Sequence, residues 1–167
     1  MAAQRKHYWD SSVFLCFLHK KEIERRNNCE DILYHAKAGE VSIYTSTYTI
    51  AEVIKPKEVK DAARLTPTQI SKIQQMFQWS WIKKIDLSQR VAFKAVELAR
   101  DYGLSPADSV HIASALSIPV DVFQVFDREF SKVAKLITIE QPARITAQGV
   151  LVEWKPPLGP QPEEFER

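Results

Sequence analysis

The segment Leu104-Ser-Pro-Ala-Asp108-Ser-Val-His111-Ile-Ala-Ser-Ala-Leu116 decides how the rest of the chain is read. Ser105 is a good N-cap, and Pro106 suits the first helical position, where its missing N–H costs nothing. Asp108 falls three residues after the cap, where a carboxylate can complete a capping box. The residues beyond it are small and apolar, which predicts a tightly packed, buried helix with an acid on its first turn. Three other segments bring acids to comparable places.

Upstream, Tyr8 and Trp9 precede Asp10, and Ser11 and Ser12 follow before an apolar run from Val13 to Leu18. This predicts a short strand, an acid at its C-terminal end, then a helix. Open α/β sheets bind ligands at such junctions. The charged stretch 20–39 predicts an amphipathic helix closed by Gly39, and residues 40–44 alternate as a second strand. Residues 45–54 pass from β-branched strand chemistry to helix, with Thr49 and Glu52 spaced as a capping box. Thr66-Pro67 opens a helix to about residue 79, residues 81–87 read as a third strand, and Ser88 caps a helix over 89–102 that Gly103 ends. Residues 120–126 form an apolar run expected of a strand buried on both faces, followed by Asp127. A short helix over 128–134 and a last strand over 135–140 complete the pattern. Strands alternating with helices imply an α/β fold with a mostly parallel sheet covered on both faces.

With 45% hydrophobic and 26% charged residues among 167, the composition is that of a globular chain of single-domain size. Residues 1–141 form the expected domain, and 142–167, with Pro156, Pro157, Pro160 and Pro162, read as a Pro-rich C-terminal tail. No run approaches the roughly 20 apolar residues of a membrane span, and the basic N-terminus lacks an apolar signal core, so a cytoplasmic chain without a membrane role is expected. Twenty-three basic against 21 acidic residues leave a net charge of +2, so any nucleic-acid surface must be local. Lys55-Pro-Lys-Glu-Val-Lys60 and Lys83-Lys84 are such clusters, though basic runs are more often solvated faces. Cys16 and Cys29 lack CxxC or Cys/His spacing and read as ordinary thiols.

Asp10, Glu52, Asp108 and Asp127 thus stand at four strand–helix junctions. Taken singly, capping explains each one. Gathered in a half-buried crevice, they would repel and raise one another's pKa unless a cation sat among them. Oxygen ligands without His or Cys favour Mg²⁺ or Mn²⁺ over zinc. Such ions can activate a water and neutralise charge growing on a phosphodiester, so phosphodiester hydrolysis is the inferred reaction. Ser12 and Ser46 are candidates to orient ligands or water, with turn hydrogen bonding as the commoner role. His111, one turn after Asp108, reads as a satisfied, partly buried histidine. Trp79 and Trp81 read as core or interface aromatics.

In order and spacing, Tyr8-Trp-Asp10-Ser-Ser-Val-Phe-Leu, Thr45-Ser-Thr-Tyr-Thr-Ile-Ala-Glu52-Val, Ser105-Pro-Ala-Asp108-Ser-Val-His-Ile-Ala-Ser-Ala-Leu and Val125-Phe-Asp127-Arg-Glu-Phe130 resemble the PIN-domain ribonucleases, in particular VapC-like toxins of toxin–antitoxin pairs. The resemblance covers about residues 7–140. It implies a three-layer α/β/α fold and metal-dependent endoribonuclease activity, with Asp10, Glu52, Asp108 and Asp127 as Mg²⁺ or Mn²⁺ ligands and Ser12 as a supporting catalytic group. For toxin-type members it further implies an RNA substrate, a cognate antitoxin laid into the acidic groove, and homodimers. Apolar side chains of the first helices, such as Phe17 and Ile23, are candidates for partner binding, with core packing as the alternative. One departure is Val125, where many members carry Thr two residues before the last acid. Two other uses of the chain stay open. One is a catalytically inactive PIN-like module binding protein or RNA; the other is a phosphotransferase with Asp10 as nucleophile, which lacks the usual second acid because Ser12 stands there.

Overall fold

Among the residues described by the computed structural model, 4–19, 22–54 and 65–145, five strands pair in the order β3 (Ile82–Ile85), β2 (Val41–Ser46), β1 (Arg5–Trp9), β4 (Val122–Gln124) and β5 (Ile139–Glu140). All four pairings are parallel. The chain winds outward from β1 through β2 to β3, then returns to the other side of β1 for β4 and β5. The switch point therefore lies between β1 and β4, and Asp10 leaves the sheet there.

Side-chain alternation along β1 builds two cores. Trp9 packs with α1 (Ser11–Leu18), α2 (Ile23–Lys37), α3 (Thr47–Ile54) and α4 (Pro67–Met76), whereas Tyr8 packs with α5 (Gln89–Tyr102), α6 (Pro106–Leu116) and the 3₁₀ helix Arg128–Val133. The result is three layers, helices on each face of a central sheet. Register keeps the faces consistent: Tyr8 lies beside Tyr44 and Phe123, all in the second core. Between β1 and β4, Gln124 Oε1 accepts from Trp9 Nε1 at 2.6 Å and pairs with His7 Nδ1 at 3.0 Å, giving the buried amide two partners.

Helix ends follow local chemistry closely. Ser88 accepts from Val91 N, and Gly103 closes α5 in the left-handed region at φ 62°. Thr66 and Gln69 form a reciprocal capping box at α4. The segment after β2 departs from expectation. Its helix begins at Thr47, so Thr49 is interior and its hydroxyl pairs with Thr45 Oγ1 at 2.7 Å. Ser46 accepts from Tyr48 N instead. Residues 128–133 form a 3₁₀ rather than an α-helix, and β4 and β5 are shorter than their apolar runs, because β5 pairs over only two residues.

Phe17 is buried in the first core, whereas Ile23 is 71% exposed. Trp79 and Trp81 stack on one another at 5.2 Å beside that core. Cys16 and Cys29 are free thiols. After β5 the chain returns over α2, where Pro142 O accepts from Asn28 Nδ2 and Ile145 N donates to Asp31 Oδ2. The basic cluster at 55–60 and the Pro-rich stretch beyond 145 lie outside the described residues. No helix among the described residues is long and apolar enough to cross a membrane.

Phe123 is fully buried on β4, stacked on Tyr8 and tilted against Phe130, each at 5.0 Å. Phe123→Ala should therefore lower unfolding free energy by about 3–5 kcal/mol in urea titrations. A loss below about 1 kcal/mol would contradict this packing.

Candidate active site

Asp10 ends β1 and caps α1, because extended backbone at φ −82°, ψ 179° turns its carboxylate over the first helical amides. Its Oδ1 accepts from Ser12 Oγ at 2.6 Å and from Val13 N at 3.3 Å. Thr45 Oγ1 donates to Trp9 O at 2.7 Å, bracing the preceding residue from β2. Asp10 is buried, and loss of water pushes its pKa up to about 6. The charge of His111 and the hydrogen bonds from Ser12 and Val13 oppose that rise, while the charge of Glu52 adds to it.

Ser12 does more than steady Asp10, since its Oγ also accepts from Phe126 N at 3.3 Å. One hydroxyl thus ties the start of α1 to the residue before Asp127. Arg25, from α2, lies over the Phe126 ring at 5.1 Å. Asp127 caps the 3₁₀ helix through Oδ1, which accepts from Glu129 N at 2.9 Å. Val125 faces the second core, so the local support of Asp127 comes from that amide rather than from the side chain two residues earlier.

Asp108 occupies the third position of α6. Its N–H donates to Ser105 Oγ at 3.1 Å, and the same hydroxyl donates to Asp108 Oδ2 at 2.7 Å. One turn later, His111 is buried against the sheet. Its Nε2 meets Glu52 Oε2 at 2.6 Å, and its Nδ1 meets the Tyr8 hydroxyl at 3.1 Å. Burial holds the Tyr8 phenol above its ordinary pKa, so the hydroxyl stays protonated. Glu52 offers only acceptor oxygens, so Nε2 donates to it whichever way the proton between Nδ1 and the Tyr8 hydroxyl points.

The structure therefore brings Asp10, Glu52 and His111 within electrostatic reach of one another. Asp108 stands one turn from His111, and Asp127 follows the strand beside β1. No three Asp, Glu, His or Cys side chains among the described residues converge tightly enough to hold a metal ion. The donor chemistry nevertheless suits a hard cation, for each acid has one oxygen anchored and the other without a donor from the described residues: Oδ2 of Asp10, Oε1 of Glu52, Oδ1 of Asp108 and Oδ2 of Asp127. Ser46, in contrast, is buried and occupied by the Tyr48 amide. Tyr8 and the Glu52 contact of His111 are the site features that sequence reading missed; the one-turn spacing from Asp108 to His111 was the available signal.

A family model described as PIN domain matches residues 8–136. Comparison with curated proteins finds no match. Solved structures with the same fold include a toxin–antitoxin complex from Klebsiella pneumoniae, 18% identical with a TM-score of 0.55, covering 83% of this chain and 99% of that one. VapC20 from Mycobacterium tuberculosis, a sarcin–ricin loop cleaving toxin, is 14% identical with a TM-score of 0.62, covering 81% and 99%. VapBC2 from Rickettsia felis, bound to a promoter DNA fragment, is 19% identical with a TM-score of 0.56, covering 81% and 98%.

A raised pKa at Asp10 makes stability depend on pH in a defined sense. The folded chain keeps a proton up to about pH 6 that the unfolded chain, at 3.8, releases earlier, so stability falls as pH rises through that window. In metal-free buffer at pH 8, Asp10→Asn should thus stabilise by about 2–3 kcal/mol, and the gain should vanish near pH 4. Thermal unfolding in EDTA at both pH values tests this; a variant less stable than wild type at pH 8 contradicts it.

Proposed function

The chain belongs to the PIN domain family, and from that premise we propose that it is a Mg²⁺- or Mn²⁺-dependent endoribonuclease, the toxin of a toxin–antitoxin pair. The observation that carries this reading is the set of four acids, each with one oxygen anchored locally and one left open. PIN domains in general use divalent ions, and VapC toxins of the family are nucleases.

In this reading Asp10 and Glu52 form the nucleus of the cation site, and Asp108 and Asp127 complete it. A divalent ion held by these acids would lower the pKa of a water and offset charge developing on the phosphodiester. Ser12 holds Asp10 at Oδ1 and, through Phe126 N, keeps the Asp127 segment beside it. Burial of Asp10 excludes competing water from that carboxylate. The RNA backbone enters at the open carboxylate oxygens, and an antitoxin peptide in the same groove, supplied by a cognate partner, excludes it. Two of the three solved relatives carry complexes in their descriptions, a toxin–antitoxin complex and VapBC2 on DNA, which supports a partnered chain.

With purified protein and single-stranded RNA, cleavage should require Mg²⁺ or Mn²⁺ and cease in EDTA. Asp10→Asn and Asp108→Asn should each lower kcat by at least on the order of 100-fold, beyond what loss of an outer partner produces. Cleavage that survives both substitutions overturns the carboxylate mechanism; absence of cleavage with metal binding retained favours the inactive RNA- or protein-binding module. Expression of the wild type should also arrest bacterial growth, and Asp108→Asn should relieve the arrest. Equal arrest by both overturns the toxin reading.

A further inference from the structure

Three of the four acids are anchored where a helix or turn begins: Asp10 by Val13 N and Ser12, Asp108 by Ser105, Asp127 by Glu129 N. Glu52 differs. It lies in the sixth position of α3, where backbone amides are spent on the helix, so no cap donor is free to hold it. Its anchor has to be a side chain, and His111 supplies it from 59 residues away. We propose that Tyr8 and His111 are positioning residues for Glu52, the Tyr8 hydroxyl setting the His111 ring so that Nε2–H holds Oε2 and leaves Oε1 for the cation.

The geometry restricts the ring on every side. His111 is 1% exposed, which removes it from contact with RNA. Tyr8 meets it edge-on at 6.1 Å, and Tyr48 lies tilted against it at 6.1 Å. Tyr8 is itself stacked on Phe123 in the middle of the sheet. Both ring nitrogens are engaged, one by the central strand and one by the acid, so the orientation of Glu52 is referred back to β1, the strand that also carries Asp10. A buried imidazole needs a partner on each nitrogen wherever it lies, and here one of the two is a carboxylate of the acidic set. Hydrogen-bonded partners that orient a ligand in this way typically contribute about 10–100-fold to metal affinity.

The inference rests on the cation site proposed above, and one calorimetric series separates the two. Full-length protein stripped with EDTA is titrated with Mn²⁺, with folding of each variant checked by circular dichroism and thermal unfolding. His111→Leu should weaken Mn²⁺ binding by about 10–100-fold. His111→Gln, which restores an amide donor to Glu52, should recover most of the loss. Tyr8→Phe should weaken binding when His111 is present and have no further effect in the His111→Leu background, where no polar partner remains for the hydroxyl at that position. A role of Tyr8 in packing alone would act equally in both backgrounds and overturn the proposal. So would wild-type affinity in folded Tyr8→Phe or His111→Leu. If His111→Leu fails to fold, the Tyr8→Phe and His111→Gln pair still decides. Absence of Mn²⁺ binding in the wild type overturns the cation site and this inference with it, whereas binding that is intact in wild type and variants overturns the inference alone.

Discussion

A carboxylate buried at the end of the central strand is costly, and much of the structure around Asp10 answers that cost. Removal from water favours the protonated acid, and proximity to Glu52 adds to the penalty. Ser12, the Val13 amide and the charge of His111 each act against it without cancelling it. What remains is a carboxyl group that keeps its proton up to about pH 6. Asp10 cannot escape to solvent because β1 is paired on both sides and carries Tyr8 and Trp9 into opposite cores. The same topology that buries the acid places it at the switch point, where the sheet opens toward a ligand.

Under the proposed cation site, capping and ligand roles do not compete. A cap uses one carboxylate oxygen, and a carboxylate has two. The amide or hydroxyl that satisfies Oδ1 of Asp10 and Asp127, or Oδ2 of Asp108, also limits side-chain rotation and so fixes where the second oxygen lies. Glu52 lacks that option within α3, and the buried Tyr8–His111 pair stands in for a cap. Ser12 extends the principle between strands, since one hydroxyl serves Asp10 and accepts from the chain leading to Asp127. Four acids that arrive from distant parts of the chain are thereby held by local devices at three positions and by a long-range one at the fourth.

Where the determinants are local, the residues themselves were sufficient. Ser105-Pro-Ala-Asp108, Ser88, Thr66-Pro67 and Gly103 set helix ends through interactions spanning three or four residues, and each stands where its chemistry requires. The alternation of strands and helices was enough for a parallel α/β sheet, and the order of the acids was enough for the family. The segment 45–54 misleads because Thr49 and Glu52 satisfy a capping spacing that the chain does not use: β2 continues to Ser46 by pairing with β3, and the helix starts directly after it.

By itself, then, the sequence determined the order of strands and helices, most of the helix caps and the four acidic positions, because these depend on neighbours a few residues apart. Tertiary structure alone decided that β1 lies between β2 and β4, that Phe17 turns inward while Ile23 stays in solvent, and that His111 reaches both Tyr8 and Glu52. Those facts rest on contacts between residues tens of positions apart. Spacing along a chain carries no record of such contacts until burial and strand register bring the partners together.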